Sequence, residues 1–279
     1  NNENNKEMPY INWFENDKIF YNFTGFSIKE FEDLYLKLIN EVHVPLEGTK
    51  TQVKKLHPIG RLLLLLVWIY RYYTFEELGN FFGLSKSLAC KWIHHLIKIC
   101  LNKMEPELWW PSLERINALI GTIPELPNVI GSVDFTIQNI PSPIFEQERF
   151  YRGDKGTHFF NNLGIADFSK ILLSFIPGFG GRSHDSRSFR LSSIPDNLND
   201  SNVELLADNG FNGINRLITP SQSNSSNFIK SNRCVIKCSW KELHHQKSTF
   251  NRWRNRHRNY AAALKLSACI YNFKRRRRF

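Results

Sequence analysis

Val129-Ile130-Gly131-Ser132-Val133-Asp134-Phe135-Thr136-Ile137 is a run of β-branched and apolar residues with a single acid at its centre. Such a composition favours a strand. The acid is the unusual part, because a carboxylate among buried apolar residues is costly unless it is paired or binds a cation. A second run of the same kind, Val203-Glu204-Leu205-Leu206-Ala207-Asp208, ends in an acid before Asn209-Gly210. Bland roles exist for both: Asp134 as a hydrogen-bonded strand-end acid, and Asp208 as a turn former in Asp-Asn-Gly. If the two strands are neighbours, the acids meet at one edge of a sheet. Like charges brought together in this way invite a divalent cation.

Working outward, Asn162–Asp167 and Ile171–Ile176 read as further strands, with Phe168-Ser169-Lys170 as the turn between them. A glycine-rich loop (Gly178, Gly180, Gly181) leads to a helix start at Ser183–Arg190. Helices are expected over Ile229–His245 and Asn259–Phe273. Three neighbouring strands, a helix, a strand and a helix is the order of an RNase H-like α/β sheet flanked by helices.

Upstream the periodicity is helical. Ser27, with Glu30 three residues on, marks a capping box. A second helix is expected from Pro58 to about Tyr73, and its apolar stretch Leu62–Tyr70 is too short to span a bilayer. Thr74 caps a short helix that Gly83 breaks, and Ser85 caps the next. This is the pattern of a helix-turn-helix unit. Lys86, Ser87, Lys91, His94 and Lys98 would face outward, suited to phosphate and groove contacts. An ordinary three-helix subdomain is the other reading. The expected organisation is a flexible segment 1–26, an all-α helix-turn-helix domain 27–104, a linker 105–127 with four prolines, an RNase H-like core 128–273 and a basic tail 274–279.

Apolar residues make up 42% and aromatics 14% of the 279, enough for a sizeable core. No membrane association is expected. The start is polar, so no secretory signal is expected, and a first residue of Asn rather than Met suggests a fragment. The five cysteines point to a reduced intracellular protein. Cys234 and Cys238, with His244 and His245 following, leave a zinc site open but lack a second pair at zinc-finger spacing. From Ile229 onward lie 15 of the 37 Lys and Arg and one of the 26 acids, so this segment carries +14 and the remainder −3. A basic surface so one-sided is the electrostatic footprint of a nucleic-acid binder, a solvated helical face being the bland alternative. Arg252, Arg254, Arg256 and Arg258 are its candidate DNA contacts. Lys274–Arg278 also reads as a nuclear import signal, hence a nuclear location.

Six segments, in order, resemble Harbinger-type DDE transposases. Gly131–Thr136 is similar to their first-acid motif, and Phe150-Tyr151-Arg152-Gly153-Asp154-Lys155-Gly156 to their basic-glycine segment. Gly164–Asp167 resembles the second core strand, and Pro177–Arg187 their glycine, His-Asp-Ser element. Leu206–Phe211 resembles the second-acid motif, and Ala268–Phe273 the closing helix. The resemblance implies metal-dependent DNA strand cleavage and transfer. Asp134 and Asp208 would be the catalytic metal ligands, with two Mg²⁺ or Mn²⁺ ions activating water and stabilising the leaving oxygen. DNA is the implied partner, with room for a separate DNA-binding partner protein and for a homo-oligomer.

The sequence departs from the pattern in two ways. Phe135 and Ile137 flank Thr136 where the family has Gly and His. The frame of the third acid, a helical Glu, falls on Arg233-Cys234-Val235-Ile236-Lys237-Cys238-Ser239-Trp240, and places Lys237 where that Glu belongs. The only acid after Asp208 is Glu242, a reserve catalytic candidate, yet residues five apart on a helix differ by about 140° in direction. Two alternatives therefore stand beside an active endonuclease: a catalytically inactive DNA-binding relic, and an unrelated RNase H-like nuclease.

Overall fold

The computed structural model describes residues 11–46, 56–220, 226–253 and 259–277. The chain divides into two compact units, 1–104 with 245–249, and 105–244 with 250–279.

The first unit is all helical: a 3-10 turn at Ile11–Glu15, then α1 Asp17–Thr24, α2 Ile28–Lys37, α3 Ile39–His43, α4 Pro58–Arg71, α5 Phe75–Phe82 and α6 Lys86–Met104. Residues 11–26, expected to be flexible, instead form α1 and its approach. Asn16 caps this helix by accepting from the Lys18 and Ile19 amides, and its Phe20 is fully buried against Phe14 and Phe31. Aromatic burial at these positions outweighs the polar composition of the start. Both capping boxes form as expected, Ser27 with Glu30 and Thr74 with Glu77. Gly83 closes α5 in the left-handed conformation at φ +63°. Ser85 accepts from the Leu88 amide and opens α6. A helix, a three-residue turn and a helix thus follow one another as the spacing predicts.

The second unit is a mixed sheet between two layers of helices. Its elements are α7 Leu113–Leu119, β1 Val129–Asn139, α8 Gln147–Phe150, β2 Tyr151–Arg152, β3 Thr157–Ala166, β4 Leu172–Gly180, α9 Asp185–Arg190, α10 Ile194–Ser201, β5 Glu204–Leu206, β6 Leu217–Ile218, α11 Ser226–Leu243 and, after α12 Lys247–Phe250, which belongs to the first unit except for its last residue, α13 Tyr260–Arg276. β4, β3 and β1 are antiparallel neighbours, β1 pairs β5 in parallel and β5 pairs β6 in parallel, while short β2 adds to β3. This is the RNase H-like order that the strand pattern predicts.

Alternation along the strands assigns the two faces. Val133, Phe135, Leu163, Ile165 and Phe179 share a core with Phe189, Ile194 and Leu198 of α9 and α10. The opposite face carries Asp134 and its cross-strand partner Gly164. A Cβ on Gly164 would lie 2.0 Å from the Trp240 ring, so α11 rests directly on the sheet there. α13 is fastened beside it by Asn272, fully buried, whose amide accepts from the Leu172 N–H at 2.9 Å and donates to the Leu172 carbonyl at 2.8 Å.

The proline-containing stretch 105–127, expected to be a linker, contains α7 and belongs to the second unit. Its prolines flank the helix rather than interrupt it. Ile116 and Leu119 enter the core, and Arg115 pairs at 2.5 Å with Asp167, whose side chain is fully buried. Among the described residues no helix is long and apolar enough to cross a membrane.

Candidate functional site

β1 and β5 place the two strand acids together. Their parallel register pairs Ser132 with Leu206, and both chains run on for two residues to Asp134 and Asp208. Asp208 is still extended, at φ −84° and ψ 173°. Two residues on along each chain, alternation returns both side chains to the α11 face at the same level. Asp208 also acts as the turn former the sequence allowed, since its Oδ1 accepts from the Gly210 N–H at 3.0 Å.

The cation whose charge acts on Asp134 belongs to α11. Lys237 precedes Trp240 by three residues, so both lie on the same side of the helix. Trp240 is seated on Gly164, the strand partner of Asp134, and Lys237, exposed and one turn earlier on α11, lies near enough for its charge to act on Asp134. Burial pushes the Asp134 carboxyl up, to about 6. The hydrogen bond from the Phe135 N–H and the Lys237 charge oppose that rise, while Asp208 and Asp185 add to it. Lys237 is the largest of the charges acting on Asp134, ahead of both acids.

Glu242, the reserve candidate for the third acid, is held elsewhere. Its carboxylate bridges Lys170 at 3.1 Å and Arg275 at 3.2 Å. Arg275 also donates to the Ser169 carbonyl, and Tyr271 to the Lys170 carbonyl. Glu242 therefore clamps α11 and α13 onto the β3–β4 turn, and its partners are cations that neutralise it. Lys170 takes φ +65° in that turn.

Asp185 lies within the His-Asp-Ser element, and the sequence alone assigns it no role. It opens α9, its Oδ1 accepting from the buried Asn161 amide at 2.8 Å. Burial raises its pKa, and Asp208 contributes to the rise. Asn161 pairs with Ile137 across β1, on the Phe135 face. Asp185 therefore approaches from the side of the sheet opposite Asp134. The signal that could have found it is the acid directly after His184, behind a glycine-rich turn.

Two carboxylates on one face suit Mg²⁺ or Mn²⁺ in donor chemistry. The full set does not fit. Among the described residues no three His, Cys, Asp or Glu side chains are placed to share an ion, and the largest charge acting on Asp134 is a cation. None of the five cysteines is in a disulfide, and Cys234 and Cys238 form no zinc group with their neighbours among the described residues.

The expected DNA contacts separate by environment. Lys86, Ser87, Lys91 and Lys98 on α6 are exposed, although Lys86 reaches Glu76 at 3.6 Å. His94 is half-buried, its ring against Phe75 and its Nδ1 3.7 Å from Cys90 Sγ. Arg252 is exposed. Arg254, Arg256 and Arg258 lie outside the described residues, as does Arg278. Within the tail, Arg275 belongs to the Glu242 clamp and Arg277 lies over the Phe273 ring.

Residues 130–273, more than half of the chain, match the model of the DDE superfamily endonucleases. The chain is also 22% identical, over 228 residues, to a probable transposase for insertion sequence element IS702 from Microchaete diplosiphon, covering 76% of this chain and 79% of that protein. No solved structure matches it.

Proposed function

The chain belongs to the DDE superfamily endonuclease family, and on that premise we propose that it is a Harbinger-type transposase derivative that binds DNA and whose acid site is held neutral by Lys237. The single observation carrying this reading is the charge set around Asp134: one exposed lysine on the helix that should supply the third acid, whose charge acts on Asp134 more strongly than either neighbouring acid. An acid there would add one negative charge to a cation-binding cluster, and a lysine reverses it. Unit charges about 4 Å apart interact by roughly 4 kcal/mol at an effective dielectric near 20. Such a cost weakens divalent-cation binding. Asp134 and Asp208 then act as acceptors for the Phe135 and Gly210 backbone N–H groups. DNA affinity would come from the exposed bases of α6 and the basic stretch after Ile229, with a steep dependence on salt.

A second reading, metal-dependent strand cleavage with Mg²⁺ or Mn²⁺, is favoured by the position of Asp134 and Asp208 at one level of adjoining strands. One assay separates the two. The purified chain is incubated with supercoiled DNA and either cation, beside Asp134→Ala and Lys237→Ala. The neutralised-site reading expects no nicking above the Asp134→Ala background. It also expects Lys237→Glu to bind divalent cation more tightly than the natural chain by calorimetry. Robust nicking that Asp134→Ala abolishes and Lys237→Ala leaves unchanged would show this reading to be wrong.

A further inference from the structure

The second unit carries a cleft of about 650 Å³ between the end of β4, the turn after it, α8 and α9. Arg149, Arg182, His184 and Arg187 line it. None of these four figured among the DNA contacts expected from the sequence. The cleft is built by close backbone approach. A Cβ on Gly180 would lie 2.7 Å from the Arg149 carbonyl oxygen, and one on Gly181 would lie 2.6 Å from that of Phe159. The Arg182 N–H donates to the Arg149 carbonyl at 3.1 Å. The glycines therefore hold Arg149 and Arg182 side by side at one wall, and the first turns of α9 present Arg187 and His184 from the other.

The charges there are only weakly satisfied. Arg149 meets Glu146 at 3.3 Å and Arg182 meets Glu148 at 3.4 Å, with both pairs exposed to solvent. Exposed pairs of this kind are worth little and exchange readily for another anion. Among the described residues no carboxylate pairs with Arg187. The cleft is roughly of the 300–1,000 Å³ typical of ligand sites, so it has room for more than one small ion. Asp185 follows His184 directly, on the side of the sheet opposite Asp134, and its charge still reaches Asp134.

We propose that the cleft lined by Arg149, Arg182, His184 and Arg187 binds the sugar-phosphate backbone of a DNA strand and leads it toward the end of the sheet where Asp134 and Asp208 stand. The proposal rests on the DNA-binding reading above but not on whether the acid site is active. Arginine forks match phosphate oxygens, and these contacts position a strand without reading its sequence.

The test is fluorescence anisotropy with labelled single-stranded and duplex oligonucleotides, using the full chain in EDTA across a salt series. The variants are Arg182→Ala with Arg187→Ala, and Arg149→Ala. Arg190→Ala is the control, an exposed arginine of α9 outside the cleft. Melting temperatures confirm that each variant is folded. We expect the double variant to bind several-fold more weakly at low salt. Its salt slope should fall by about 0.9 per lost contact on duplex, or about 0.7 on single strand. Whichever probe shows the loss identifies the form of DNA held. Binding by the natural chain that the cleft variants leave unchanged overturns this proposal alone. Absence of any DNA binding by the natural chain overturns the parent reading with it. An equal loss in Arg190→Ala, or equal displacement by polyglutamate, would also overturn it, reducing the cleft to general surface charge or an acidic-peptide site.

Discussion

Replacing Asp134 by asparagine should stabilise the α/β unit at neutral pH and leave it unchanged in acid. The Asp134 carboxyl has an ordinary value of 3.8 and is pushed to about 6 in the fold, first by burial and then by Asp208 and Asp185. A raised carboxyl pKa means that the folded chain keeps a proton that the unfolded chain has already released. Between about pH 4 and 6 the folded state binds more protons, so stability falls as pH rises through that window and stays lowered above it. A shift of about two units at 1.36 kcal/mol each sets a ceiling near 3 kcal/mol. Asparagine keeps the shape and an acceptor for the Phe135 N–H but carries no charge. Urea unfolding of the full chain and the variant at pH 4 and pH 7.5, followed in the transition of the α/β unit, checks this. The expected result is a stabilisation of up to about 3 kcal/mol at pH 7.5 that shrinks toward zero at pH 4. A difference that does not change with pH, or a variant less stable than the natural chain at pH 7.5, would refute the reasoning.

Two structural predictions follow from packing. Gly164→Ala should destabilise the unit by about 1–3 kcal/mol or more, because its methyl would sit 2.0 Å from the Trp240 ring. Gly153→Ala, where nothing lies within 4 Å, should be near neutral in the same thermal melts. Asn272→Ala should cost about 1–3 kcal/mol for each Leu172 backbone group left without its partner, read as a lowered urea midpoint. An unchanged midpoint would mean that α13 is not fastened through this residue.

The local elements were legible because they rest on near-neighbour chemistry. Ser27 with Glu30 and Thr74 with Glu77 are capping boxes within four residues, and Gly83 ends a helix by its own backbone freedom. The strand runs around Asp134 and before Asp208 declared themselves by β-branched composition, and their order fixed the sheet. Less legible were α1, hidden in a polar start, and α7, hidden among prolines. Both helices are stabilised by contacts with residues distant in the chain: Tyr21 with Tyr70, and Arg115 with Asp167. Family motifs pointed to Asp134 and Asp208 as a pair, and the α11 frame pointed to Lys237 as the misfit.

Only the tertiary structure decided what those residues meet. One-dimensional spacing left Glu242 as a reserve acid. The fold gives it to Lys170 and Arg275, because α11, α13 and the β3–β4 turn converge there from positions up to about a hundred residues apart. Strand alternation is written in the sequence, but which face each helix covers is not. That choice brought the Lys237 charge to bear on Asp134, with Trp240 on Gly164, and sent Asp185 to the opposite side. The arginine cleft was equally invisible, since Arg149 lies some thirty residues before Arg182 and Arg187, and only the backbone approach at Gly180 and Gly181 brings it beside them. Capping, turn and strand preferences are set by residues a few positions apart, so the sequence alone could decide them. Charge pairing across a fold depends on packing between distant segments, and only the assembled sheet and its helices could settle it.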